Sequence, residues 1–207
     1  MKTRGILFSG AMVRALLDGT KTQTRRVVKP WHGHRGAVDV STLLESAEQR
    51  AQALAWAPYG VSGDRLWVRE TWGLCRFGDV TDWYRGKVGP TREVDSLREA
   101  NRLEYRADHG PQQEHCFWRP SILMPRWASR ITLEITDVRV ERLHDISDTD
   151  IRAEGVTAQA VYDLGVTETL HDTSPIGLWR AGWSAINGAA SWDANPWLWC
   201  LTLRRVS

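Results

Sequence analysis

Long apolar runs are missing from this chain. Its most hydrophobic stretches, Ile6 to Phe8 and Trp197 to Leu203, fall far short of the ~20 residues that a membrane-spanning helix requires. Met1, Lys2 and Arg4 lead into an apolar run that breaks at Ser9 and Gly10, which makes a poor secretory signal. A cytoplasmic protein with no membrane partner is expected. Cysteine is also scarce: Cys75, Cys116 and Cys200 are widely spaced and form no C-x-x-C pair. That pattern argues against a disulfide framework and a zinc ribbon, and for free thiols. His109, His115 and Cys116 fit no zinc spacing, so neither a metal nor another cofactor is expected. No repeat of 20 to 50 residues and no low-complexity tail occurs. With 207 residues, 42% of them hydrophobic and 25% charged, one domain spanning 1–207 with a real core is the default.

Two features stand out against this background. Formal net charge is only +2, yet residues 1–35 hold eight Lys or Arg against the single Asp18. A localised basic segment on a nearly neutral protein suits a phosphate-bearing partner better than diffuse attraction to a nucleic-acid backbone; a solvated basic surface is the plainer alternative. Twelve tryptophans are many for this length. Trp serves as core volume or as a stacking platform for bases, and most of these are expected in the core.

Along the chain, Ile6 to Phe8 reads as a strand. Ser9 then caps a helix carrying Met12, Val13, Leu16 and Leu17 until Gly19 stops it. The Thr and Val content of residues 21–28 favours an extended segment. Residues 31–57 read as an excursion from the core, with a helical patch near Leu43 to Leu54. After the turn signal Gly63-Asp64, Leu66, Val68 and Glu70 share one strand face and Trp67 and Arg69 the other. Residues 73–118 form a second insertion with a strand-like Leu103 to Arg106. In Ile131 to Ile135 the apolar residues are odd-numbered, whereas Val138 and Val140 are even-numbered, so a bulge belongs near Thr136 and Asp137. Ser147 and Asp150 approximate a capping box for a short helix that ends before Gly155 with Ile151 and Glu154 on one face. Ser174-Pro175 starts a helix with Ile176, Trp179, Trp183 and Ile186 on one stripe before Gly188. Trp197 to Leu203 is a covered strand. Short strands with a few helices give an α+β class with a barrel-like sheet.

The order G-x-K-T-x-T-R-R (Gly19, Lys21, Thr22, Thr24, Arg25, Arg26), G-D-R-L-W-V (Gly63 to Val68) and A-E-G (Ala153 to Gly155) resembles the ASCH family. The fuller run from ILFSGAMVRALLDGTKTQTRR through WVRETW and PRWASRITLEITDVRVERL to WDANPW is similar to the longer ASCH proteins of bacteriophages and prophages. The likeness covers nearly the whole chain. It implies a PUA-like β-barrel with flanking helices, here with insertions near 31–57 and 73–118, and a cleft in which the G-x-K-x-x-T strand faces the acidic helix. Smaller bacterial relatives are amidohydrolases that remove the acetyl group from N4-acetylcytidine with a Lys, a Thr three residues later and a Glu on a later helix. Those positions correspond to Lys21, Thr24 and Glu154. Other branches bind or cleave RNA, so a modified nucleoside and RNA are both implied as partners. Leu123 stands where the phage-type pattern often has histidine, so no histidine acts there.

Amide hydrolysis needs a nucleophile, a base and a proton for the departing amine. Thr24, Lys21 and Glu154 supply these types, with Arg25 and Arg26 as neighbouring cations that lower a lysine pKa. Residues three apart on a regular strand point to opposite faces, so this chemistry requires Lys21 to sit in the turn after Gly19. Glu154 stands at a helix C-terminus and on its inward face, where its charge is disfavoured; a salt bridge to Arg25 or Arg26 is the alternative. Glu70 needs a partner if buried, and an arginine pair is the plainer role. Glu70, Trp67 and Trp72 complete the candidate substrate-binding set with Arg25 and Arg26, either tryptophan being a core residue or a stacking surface.

Overall fold

The computed structural model of the protein describes residues 1–29, 31–33, 36–38, 44–75, 103–109, 116–166 and 172–206. In chain order these form β1 (Thr3–Leu7), α1 (Gly10–Leu17), β2 (Gln23–Val27), β3 (Trp31–Gly33), β4 (Gly36–Val38), α2 (Ala47–Ala53), β5 (Arg65–Arg69), β6 (Trp72–Cys75), β7 (Leu103–Tyr105), β8 (Cys116–Arg119), β9 (Thr132–Arg142), α3 (Asp148–Ala153), α4 (Ala158–Tyr162), α5 (Pro175–Asn187), α6 (Ala190–Asp193) and β10 (Trp197–Arg205). The class is α+β. No helix among the described residues is long and apolar enough to cross a membrane.

The principal sheet has five strands in the order β1-β5-β9-β10-β2. β1 runs parallel to β5 and the remaining pairs are antiparallel. The expected barrel is not a closed ladder: among the described residues β1 and β2 are the two edges. A side chain bridges them instead, since Arg26 Nη2 donates to Leu7 O at 2.7 Å with its guanidinium 5.1 Å above the Phe8 ring. β10 lies between β9 and β2, so both its edges are paired, and Trp197 to Leu201 are buried without interruption because Trp197, Trp199 and Leu201 enter one core cluster and Leu198 and Cys200 another. Its register against β9 shifts where Thr202 faces Asp137 and Leu203 faces Ile135. Thr136 is the extra residue, the bulge that the change of apolar parity required.

The segment read as an excursion returns to the core. Ser46 and Gln49 form a capping box at the start of α2, and Leu44, Ala53 and Ala57 are buried in the cluster that holds Ile6, Leu66, Ile135 and Leu201. Of the second insertion, residues 76–102 and 110–115 lie outside the description, His115 among them. Its described strands make a sheet in the order β7-β6-β8 that packs Trp72 and Leu103 with Met124 and Ala128. Against the expected four-residue stripe on α5, Trp179 and Trp183 are buried but Ile176 and Ile186 are 39% and 52% exposed. Those isoleucines sit at the two ends of the helix, beyond the part that packs with Leu198 and Cys200 of β10.

Candidate active site

The chain turns after α1 at Gly19, whose φ is +76°. Lys21 N–H then donates to Ala15 O at 3.0 Å and Thr22 N–H to Ala153 O at 2.7 Å. These bonds tie residues 21 and 22 to the ends of α1 and α3, and regular pleating starts only at Gln23. Lys21 thus stands off the strand, as the chemistry inferred from the sequence requires.

Glu154 closes α3. Ser147 Oγ accepts from Asp150 N–H at the other end, but the Asp150 carboxylate turns to Arg25 and Gln23, so only half of the capping box forms. The Glu154 main-chain carbonyl accepts from Lys21 Nζ at 2.8 Å, and its Oε2 from the same nitrogen at 2.7 Å. Oε1 accepts from Arg25 Nη1 at 3.2 Å. Two cations therefore oppose the unfavourable helix dipole at this carboxylate, and the salt bridge weighed as the alternative is present together with the lysine contact. Side-chain exposure is 0% for Lys21, 1% for Arg25 and 4% for Glu154. Burial holds the Lys21 ammonium below the ordinary lysine value against the pull of Glu154, and Arg26 and Arg25 push in the same direction as burial.

Arg25 is the hub of a larger network that the sequence did not disclose. Its Nη2 reaches Glu141 at 3.2 Å and Asp150 at 3.1 Å, and Arg139 pairs with the same two carboxylates. Arg25, Cys200 and Arg139 stand opposite one another across β2, β10 and β9. Cys200 is a free thiol that burial pushes up to about 12, which leaves it protonated and inert at neutral pH.

A cavity of about 120 Å³ opens beyond the β2 edge. Thr24 and Glu154 line it together with Arg26, Trp179 and Trp183. Thr24 is 1% exposed, and its hydroxyl makes no hydrogen bond among the described residues. Lys21 is not a lining residue; it lies behind Glu154. Arg26 has no carboxylate partner among the described residues. The other nominated residues are elsewhere. Glu70, 1% exposed, accepts from Arg130 Nε at 2.9 Å and Nη2 at 3.0 Å, the structural arginine pair. Burial raises its pKa against that pair. Trp72 packs edge-on against Trp127 at 5.7 Å, and Trp67 carries the Arg69 guanidinium 5.3 Å from its ring. None of the three lines the cavity. His109 bonds Glu104 at 2.8 Å, and no metal-holding cluster occurs among the described residues.

Gly155 makes this geometry possible. Its φ is +71°, and a Cβ there would meet Ala15 Cβ and Lys21 Cβ, both at 3.0 Å. Gly155→Ala is therefore expected to lower stability by about 1–2 kcal/mol through the left-handed backbone alone, and to displace Lys21 from Glu154. Urea denaturation checks the first effect; the Lys21 Nζ resonance checks the second.

No family model, curated protein or solved structure matches the chain.

Proposed function

We propose that the chain is a PUA-like protein of the ASCH type and acts as an amidohydrolase on an N4-acylated cytosine nucleoside, with N4-acetylcytidine as the first substrate to test. The observation that carries this reading is the meeting of Thr24 and Glu154 on one cavity with the buried Lys21 directly behind the carboxylate.

In this reading Lys21 acts as the neutral amine. Its two N–H groups remain on the Glu154 carbonyl and carboxylate, and its lone pair is left to accept a proton. Lys21 Nζ takes the Thr24 proton as Thr24 Oγ1 bonds to the acyl carbon, a transfer that requires the two side chains to approach, since among the described residues the hydrogen bonds of Lys21 Nζ go to Glu154. The tetrahedral adduct collapses when its C–N4 bond breaks and the proton passes to N4. Cytidine leaves, and the acyl group remains as an ester on Thr24. Water attacks that ester with the same base, releasing acetate and restoring the hydroxyl. Arg26, which has spare donors and no carboxylate partner among the described residues, stabilises the negative oxygen of the adduct, while Glu154 holds the lysine and moves the leaving-group proton.

Arg26 also favours a second reading, in which the cavity belongs to an RNA-binding module and this guanidinium contacts phosphate. Measuring kcat/KM for N4-acetylcytidine against pH and salt separates the two. The enzyme reading expects activity to rise with pH as Lys21 loses its proton and to level off below 10.5, the ordinary lysine value, with a weak response to salt because the substrate is neutral. RNA affinity falling steeply with salt, in the absence of turnover, supports the second reading instead.

A further inference from the structure

Trp179 and Trp183 stand one turn apart on α5, with ring centroids 5.5 Å apart and planes inclined by 48°. Both line the cavity. They are 7% and 5% exposed, yet neither indole N–H has an acceptor among the described residues. A buried donor left unpaired costs about 1–3 kcal/mol, and such groups are few in native proteins. Trp72 and Trp197 share the feature, but neither lines the cavity. Among the described residues, Trp179 and Trp183 are the tryptophans with an unpaired indole donor that line the cavity.

The free edge of β2 forms another wall. Val28 N–H donates to Trp197 O at 2.8 Å, and Leu203 N–H donates to Thr22 O at 2.7 Å. The even-numbered residues of β2 therefore pair with β10, and the main-chain groups of Arg25 and Val27 turn the other way. Among the described residues β2 is the last strand of its sheet, and both residues line the cavity. A flat ring entering here meets the two indoles of α5, whose buried N–H groups lack an acceptor among the described residues, and the main-chain donors and acceptors of Arg25 and Val27 on β2.

We infer that Trp179 and Trp183 are base-binding residues. Their indole N–H groups donate to the acceptors of a pyrimidine, its 2-carbonyl oxygen and ring nitrogen, while the β2 edge pairs with the rest of the base's polar rim. Cytosine carries both acceptors and a neighbouring exocyclic nitrogen. The inference rests on the amidohydrolase reading for the identity of the base, and it adds two specificity-determining residues that the catalytic steps do not use.

The probe is cytidine, titrated into the 15N-labelled full chain while the indole N–H cross-peaks are followed. The peaks of Trp179 and Trp183, identified by their loss in Trp179→Phe and Trp183→Phe, are expected to move downfield. Each phenylalanine variant keeps a ring but lacks the donor, and is expected to weaken cytidine binding about fivefold, equivalent to one net hydrogen bond of about 1 kcal/mol. Should a variant fail to fold, peaks assigned within the wild-type protein decide by themselves. Cytidine that binds while both peaks stay in place overturns the inference and leaves the amidohydrolase reading standing. Cytidine that does not bind overturns the inference, and turnover of N4-acetylcytidine then decides the amidohydrolase reading separately.

Discussion

Glu154→Ala is expected to destabilise the protein by about 3 kcal/mol, the lower end of the range for breaking a buried ion pair from one side. The substitution strands two cations whose side chains are 0% and 1% exposed. They do not suffer equally. Lys21 is already held below its ordinary value by burial, so without its carboxylate it sheds a proton instead of remaining a buried charge. Arg25 cannot deprotonate, but it keeps Glu141 and Asp150. For a chain of this size, 1 kcal/mol shifts the melting temperature by about 2–4 °C, so a fall of roughly 10 °C is expected in a thermal scan. Combining Lys21→Met with Glu154→Leu removes both members of the closest pair and is expected to recover much of the loss, because apolar replacement of a buried ion pair is often neutral or stabilising. A Glu154→Ala protein as stable as the parent would show that the pair is solvated.

Thr24→Ala is expected to do the opposite: little to stability and nearly everything to turnover. The hydroxyl has no hydrogen-bond partner among the described residues and borders the cavity, so its removal leaves no protein group unsatisfied, and a change below about 1 kcal/mol is expected. A covalent nucleophile has no substitute. Loss of kcat by about a thousandfold or more is expected, with Thr24→Ser retaining part of the rate through its own hydroxyl. The contrast between these two substitutions separates the fold-bearing carboxylate from the proposed nucleophile, and a single-turnover assay beside a urea titration reads both.

Much of the architecture was legible because it rests on periods and caps. The odd-to-even switch between Ile135 and Val138 placed a bulge near Thr136 and Asp137, where Thr136 proves to be the extra residue, and Ser9, Ser147 and Ser174 marked the helix starts. The turn after Gly19 was legible as a requirement of the chemistry. Openness of the sheet was not legible, since the pattern of a strand is the same whether its edge is paired by another strand or bridged by Arg26. Glu70 could be read as a paired carboxylate from its place among Leu66 and Val68, although its partner Arg130 is 60 residues away. The face on which Trp67 and Trp72 lie says nothing about which sheet they join, and Trp72 belongs to the three-stranded one. Arg139, Glu141 and Asp150 were illegible as an Arg25 network because their meeting depends on how α3 docks against β9 and β2. The stripe on α5 foretold burial of Trp179 and Trp183, but periodicity does not distinguish a core wall from a cavity wall.

The most direct test of the central claim is incubation of the purified chain with N4-acetylcytidine, following cytidine release by chromatography beside Thr24→Ala. The expected result is conversion by the parent protein and none by the folded variant. A folded parent that releases no cytidine, or a Thr24→Ala protein that releases it at the parental rate, would contradict the assignment of this cavity as a cytosine-nucleoside amidohydrolase site.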